Sequence, residues 1–184
     1  MNKYNPYIHH RHSVRLRHYD YSRIGLYFLT LCTHKRLPLF GKIANRNMCL
    51  NDIGTIAQKC WDNIQLHFPD VVLHENVIMP NHIHGIIEIA KSSDIANVGV
   101  ENFQPLRLPQ RNEFQHVIPR SIGSIIRGFK IGTTKQIGYS VWQRNYHEHI
   151  IRNENDYSKI ATYINNNPVQ WHNDRFYCNV EDVG

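Results

Sequence analysis

The sequence predicts an α+β fold, an antiparallel sheet with helices packed on it, and three observations carry that prediction. Two apolar segments, Val71 to Met79 and His82 to Ala90, flank the turn signal Pro80-Asn81 and read as a β-hairpin. After Asn51, apolar side chains recur at three- and four-residue spacing (Ile53, Ile56, Ala57, Cys60, Trp61, Ile64), the stripe of an amphipathic helix lying on a core. Along the chain the segments run strand, helix, strand, strand, helix, strand, helix, an order that suits an α+β sandwich.

Residues 1 to 20 lack clean periodicity and are expected to form a basic N-terminal arm, its last part from Arg15 to Tyr21 docking on a single domain that spans 21 to 178. Gly25 to His34, rich in aromatic and apolar residues, reads as a central first strand. Lys35 to Met48 holds Pro38 and Gly41 and reads as a loop. Asn51 or Asp52 can cap a helix to about His67, which Phe68-Pro69-Asp70 ends before the hairpin. Lys91 to Pro119 carries three prolines and no sustained apolar period, the composition of a long loop. Arg120 or Ser121 opens a helix to about Thr134, with Ile122, Ile125, Ile126 and Phe129 inward and Arg127 and Lys130 outward. Val141 to Ile151 alternates well enough for a fourth strand. Asn153 can cap a last helix from Glu154 to about Asn167, with Ile160 and Ile164 inward and Pro168 enforcing the stop. The expected architecture is therefore a ferredoxin-like antiparallel sheet with packed helices, followed by a C-terminal helix.

A chain of 184 residues with 41% apolar residues can bury a core of its own. No run approaches the roughly 18 apolar residues of a membrane span, and Met1 to Arg17 has no signal-peptide core, so a cytoplasmic place is expected. The four cysteines form no CxxC pair, which argues against a zinc knuckle or a disulfide framework. Net charge is +6 with a pI near 9.2. The excess gathers at Arg11, Arg15, Arg17 and Arg23 and again at Arg120, Arg127, Lys130 and Lys135, with Tyr19, Tyr21, Tyr27 and Phe129 interleaved. Cations mixed with aromatic rings suit a phosphate backbone and stacked bases, which makes Arg15, Arg17, Arg23, Arg127 and Lys130 candidate DNA contacts.

The chemistry centres on His82-Ile83-His84 at the start of the second hairpin strand. Side chains alternate along a strand, so His82 and His84 share one face while Ile83, Ile87 and Ile89 take the other. Two neutral imidazoles on a stiff strand can be neighbouring ligands of a divalent metal, and a third ligand must come from elsewhere. On the last helix Tyr163 and Asn167 stand four residues apart and share a face. If that face meets the histidines, a phenol nucleophile, two imidazoles and an amide oxygen surround one point. A nearby cation or base would then help the phenol, whose ordinary pKa is about 10, to lose its proton.

His82-Ile83-His84, within Met79-Pro80-Asn81-His82-Ile83-His84-Gly85, resembles the motif of the single-tyrosine HUH transposases, named for histidine, a bulky apolar residue and histidine. The likeness continues in order through Tyr19 to Ser22, Leu39 to Gly41, Leu50 to Gly54, Phe129-Lys130, Trp142 to Tyr146, Ile151 to Glu154 and Tyr163 to Pro168. It spans nearly the whole chain and is greatest to the REP-associated tyrosine transposases, bacterial relatives of insertion-sequence transposases that act on hairpins of repetitive extragenic palindromes. The resemblance implies His82 and His84 as metal ligands, Asn167 as the candidate third ligand, Tyr163 as the nucleophile, and Mg²⁺ or Mn²⁺ as the ion. It further implies cleavage and rejoining of single-stranded DNA beside a hairpin through a 5′-phosphotyrosine, in a bacterial, nucleoid-associated enzyme of DNA transposition, and it leaves a homodimer open.

Tyr146 and Tyr157 compete with Tyr163 as nucleophile, although Tyr157 lies six residues earlier and faces another side of the helix. His147 and His149 form a second alternating pair, read as structural or DNA-contacting. Two other functional classes remain: a non-catalytic hairpin-binding protein, against which the intact histidines and tyrosine argue, and a small metal-dependent hydrolase, which lacks a partner carboxylate at motif spacing.

Overall fold

The computed structural model describes residues 20–90 and 118–177. The expected basic arm with Arg15 and Arg17, most of the 91–119 segment and the expected domain end at 178 lie outside the described residues. Among the described residues there are six strands: β1 (Gly25–Cys32), β2 (Gly41–Ala44), β3 (Asn47–Leu50), β4 (Val71–Met79), β5 (His82–Ile89) and β6 (His147–Ile151). The helices are α1 (Asp52–Asp62), α2 (Ile64–His67), α3 (Ile122–Ile137) and α4 (Glu154–Asn166). The main sheet has the order β4-β5-β1-β6 with every neighbouring pair antiparallel. Setting β2 and β3 aside, that is the ferredoxin-like order, in which the first and third strands of the sheet lie side by side at its centre and helices cross between alternate strands.

Both faces of the sheet are covered. On one, Tyr27, Leu29 and Leu31 of β1 and Ile83, Ile87 and Ile89 of β5 pack with Ala57 and Trp61 of α1 and Ile122, Ile125, Ile126 and Phe129 of α3. On the other, Ile86 and Ile151 meet Ala161 and Ile164 of α4. Because side chains alternate, His82 and His84 emerge on the α4 side. The close approach of α1 requires Gly85: a Cβ there would overlap the Trp61 ring, which is fully buried. Gly85→Ala is expected to lower folding stability by roughly 1–3 kcal/mol through this overlap, and an unchanged urea midpoint would show that α1 can draw back at no cost.

The structure departs from the sequence reading at four places. Residues 41–50, read as loop and helix approach, form the β2-β3 hairpin around Asn45 and Arg46, whose φ values of 51° and 62° give the turn the twist that antiparallel strands need. α1 stops at Asp62, with Asn63 bridging to the single turn of α2, while its start is as expected, Asn51 accepting a hydrogen bond from the Gly54 amide. α3 runs on to Ile137 and ends at Gly138 in the left-handed conformation. The fourth strand of the main sheet is confined to His147–Ile151. Residues 141–146 instead follow α3, held by Trp142 Nε1 donating to Thr133 Oγ1 (2.6 Å) and by the Gln143 amide donating to the Cys32 carbonyl (2.9 Å).

That segment also corrects the outward placing of Lys130. Its Nζ donates to the carbonyls of Gln143 (2.7 Å) and Asn145 (3.3 Å) and lies 5.7 Å from the Tyr146 ring, and burial pushes its pKa down from 10.5 to about 8. Between those two values the unfolded chain holds a proton that the folded chain has released, so stability rises with pH across that window. Wild type should therefore gain urea resistance relative to Lys130→Met as the pH is raised from 8 towards 10.5. A constant difference would mean that the ammonium is not held against its charge.

Candidate metal and nucleophile site

The hairpin turn delivers the histidines. His82 pairs across the sheet with Cys32 and His84 with Thr30, both imidazoles are buried (0% and 1% exposed), and their ring centroids are 4.4 Å apart. Asn81 orients the first ring. Its Nδ2 donates to the carbonyls of Phe176 (2.8 Å) and Arg36 (3.2 Å), which leaves its Oδ1 to accept from His82 Nδ1 at 2.9 Å. His82 Nε2 therefore carries a lone pair, and it is buried without a hydrogen-bond partner. His84 Nδ1 lies 2.9 Å from the Thr30 hydroxyl, and its Nε2 faces the Tyr163 hydroxyl at 3.1 Å. Burial lowers the His82 pKa to about 3 and, with the neighbouring His82, holds His84 well below its usual value. Both rings are thus neutral at physiological pH, the form that ligates metals.

The opposite wall comes from α4 and the chain beyond it. Tyr163 Oη donates to Asp174 Oδ2 at 3.1 Å, and Asn167 Nδ2 donates to the same oxygen at 2.7 Å. The second bond fixes the amide orientation, so Asn167 Oδ1, buried and without a partner, offers a lone pair inward. Two acceptors buried without donors cost about 1–3 kcal/mol each, a cost that a cation bound by them would offset. Asn167 indeed favours a positive charge on His82. The ligating atoms of His82, His84 and Asp174 lie within 4.8 Å of one another, so a His-His-Asp group is positioned to bind a metal ion, with Asn167 beside it. The donor chemistry fits: imidazole nitrogen with carboxylate and amide oxygen suits a divalent ion of intermediate hardness.

Tyr163 is 40% exposed and lines an open cavity of about 310 Å³ with Lys159, Thr162, Asn166 and Gln170. Burial and the Asp174 carboxylate push its pKa up to about 12, while the Arg175 charge acts the other way. Above the histidines the Phe176 ring stands 4.6 Å from His82, with the Arg175 guanidinium 4.6 Å and that of Arg36 5.1 Å from its centroid. Arg36 has φ of 58°, a left-handed backbone at the rim of the site, where such conformations tend to be functional.

Of the residues read from sequence, the fold brings together His82, His84, Tyr163 and Asn167. Tyr157 points to the far side of α4, its hydroxyl donating to Glu75 Oε2 at 2.7 Å, and Tyr146 packs on the core beneath Lys130. Of these three tyrosines, Tyr163 is the one whose hydroxyl the fold sets against the histidine pair. His149 bonds Asp156 on α4 at 2.9 Å. Arg23 is exposed just before β1, about 23 Å along that strand from the histidine end, and Arg127 is exposed on α3. Sequence reasoning missed Asp174, Asn81, Phe176, Arg36 and Arg175. Asn81 carried a signal, being the turn residue beside His82; Asp174 carried none, since nothing local tells where the chain after Pro168 returns.

Comparison with known proteins adds an independent line. No protein-family profile matches the chain. It is 46% identical over 181 residues to an uncharacterized protein of Haemophilus influenzae, covering 95% of this chain and 97% of that one. A second H. influenzae protein, described as "Putative REP-associated tyrosine transposase", is 24% identical over 154 residues, covering 82% of this chain and 74% of that one. Among solved structures, a REP-associated tyrosine transposase bound to a REP hairpin has the same fold, with a TM-score of 0.58, 20% identity, and coverage of 87% of this chain and 74% of that one. The antiparallel sheet with helices packed on it is therefore a fold found in a solved transposase. The chain is thus similar in sequence to a putative REP-associated tyrosine transposase and shares the fold of a solved one.

Proposed function

We propose that the protein cleaves and rejoins single-stranded DNA beside REP-like hairpins, with Tyr163 as nucleophile, in DNA transposition or the processing of repeated palindromes. The observation that supports this best is the meeting of the Tyr163 hydroxyl with His84 Nε2 and Asp174 Oδ2, both at 3.1 Å, next to two buried lone pairs that lack a donor. His82 and His84 would hold a divalent ion, Mg²⁺ or Mn²⁺, through Nε2, with Asp174 and Asn167 as oxygen ligands. When bound, that ion would supply Lewis-acid polarisation of the scissile phosphate.

The chain's own groups do the rest. Tyr163 is held at the mouth of the cavity, where its oxygen can attack phosphorus in line with the 3′ oxygen. Its proton passes first to Asp174 Oδ2, the atom it already donates to. The new bond joins tyrosine oxygen to phosphorus, the bond from phosphorus to the 3′ oxygen breaks, and the departing oxygen takes up the proton released through Asp174 to become a 3′ hydroxyl. A second 3′ hydroxyl reverses these steps to join a new strand, so phosphodiester energy is conserved and no nucleotide cofactor is needed. Arg175 and Arg36, which lie against the Phe176 ring over the histidines, would favour the charge of a phosphate bound there. No helix among the described residues is long and apolar enough to cross a membrane.

The binding half of the proposal is tested by a salt series. A REP-like hairpin should outcompete plain duplex of equal length, and its affinity should fall steeply as salt rises, because phosphate contacts release counterions. A flat salt response, or duplex binding as tightly as hairpin, would remove the DNA reading.

A further inference from the structure

A groove of about 770 Å³ runs between α3 and residues 140–146, on the helix-covered side of the sheet away from α4. Its lining is basic and apolar together: Arg127, Lys130, Lys135 and Arg144 are its only charged residues, and Ile131 on its wall is 56% exposed. Among the described residues no ion pair engages Arg127, Lys135 or Arg144. Three exposed cations without carboxylates beside an exposed isoleucine and the Tyr146 ring make a surface that has charge to spare and apolar area to cover.

The groove and the site already described adjoin the same end of β1. The Gln143 amide bonds the Cys32 carbonyl, Trp142 bridges to Thr33, and Cys32 is the cross-strand partner of His82. The Cys32 thiol feels Lys130 of the groove as well as Arg36 and Arg175 of the histidine site. Basic charge therefore continues over the end of β1 from one face of the sheet to the other.

We propose that this groove holds the unpaired DNA strand flanking the hairpin, its phosphates on Arg127, Lys135 and Arg144 and its bases against Ile131 and Tyr146, and that it leads that strand over the end of β1 to Tyr163. The inference rests on the reading of the protein as a hairpin-DNA enzyme and assigns a part of the substrate that the reading leaves without a seat. A duplex stem keeps its bases stacked inside and presents only phosphate, so it has no use for the apolar wall, whereas an unpaired strand offers each base a face to cover it. An acidic peptide would match the charge alone. Continuity with Tyr163 favours a ligand whose phosphate reaches that hydroxyl.

The test compares labelled hairpins with and without an unpaired flank, by fluorescence anisotropy, for wild type, Lys135→Glu/Arg144→Glu and Ile131→Asp. All three positions are exposed, and circular dichroism checks that the variants fold. The flank should raise wild-type affinity about tenfold or more, the scale of one or two stacked bases, and both variants should lose most of that gain. An equal gain in all three proteins, or variants that weaken bare and flanked hairpins alike, would overturn the groove assignment. So would a wild-type dimer in sedimentation that Ile131→Asp dissociates, which would give the groove to a second copy of the chain. Covalent adduct formation is read separately. Adducts with flank-independent binding overturn the groove alone, flank-dependent binding without adducts overturns only the catalytic reading, and a wild type that binds no DNA overturns both.

Discussion

Tyr163→Phe is expected to fold, bind hairpin DNA and form no covalent adduct. The substitution removes one oxygen from a side chain that is 40% exposed, and the ring keeps its edge contacts with Phe28 and His84, whose centroids lie 6.3 and 5.1 Å away. The lost hydroxyl bonds to polar groups of the site, Asp174 and His84 among them, so the effect falls on chemistry rather than on packing. Adduct formation on a labelled strand in Mg²⁺ or Mn²⁺ should fall by on the order of 10⁴-fold or more, as when other covalent catalysts lose their nucleophile. Tyr157→Phe and Tyr146→Phe should retain adducts, since the Tyr157 hydroxyl is committed to Glu75 and Tyr146 packs beneath Lys130. An adduct that survives in Tyr163→Phe and maps by peptide sequencing to Tyr146 would reassign the nucleophile.

The second large effect concerns the metal. Calorimetric titration of Mn²⁺ should give heat with wild type and none with His82→Ala/His84→Ala, because the remaining oxygens of Asp174 and Asn167 cannot hold a divalent ion alone against water. Asn81→Ala should fall between them, weakening binding about 10- to 100-fold, since it frees the His82 ring whose Nδ1 proton it accepts. Asp174→Asn and Asn167→Ala divide the oxygen ligand between them: the larger loss names it. Equal heats in wild type and the double variant would remove the histidine site. Bound metal should also raise the melting temperature of wild type alone, because it attaches only to the folded arrangement.

The elements that could be read from the chain are those with a local period. The α1 stripe, the Pro80-Asn81 hairpin and the Asn153 cap each lie within a few residues of sequence, and each stands where its pattern puts it. β2 and β3 escaped notice because four-residue strands that are mostly intermediate or exposed carry no apolar alternation. The overlong fourth strand had the opposite cause. Residues 141–146 hold the apolar side chains of a strand, but they pair only through the single Thr33–Trp142 bridge at the end of β1, while Val141 and Trp142 bury against α3 and the main core. Lys130 looked outward by helical position, yet the same segment folds over it and takes its ammonium.

The same division runs through the site. Sequence alone determined that His82 and His84 share a strand face and that Tyr163 and Asn167 share a helix face, because those relations depend only on the pitch of a strand and of a helix. That the two faces meet depends on which side of the sheet α4 occupies. This is decided by Ile160 and Ile164 burying against Ile86 and Ile151, residues far apart in the chain. Asp174 reaches Tyr163 and Asn167 only because the 3-10 turn after Pro168 brings the chain back over the histidines, where Asn81 holds the Phe176 carbonyl at 2.8 Å. A carboxylate without local motif spacing becomes a candidate ligand through contacts that burial in the assembled fold creates, and no window of the sequence contains them.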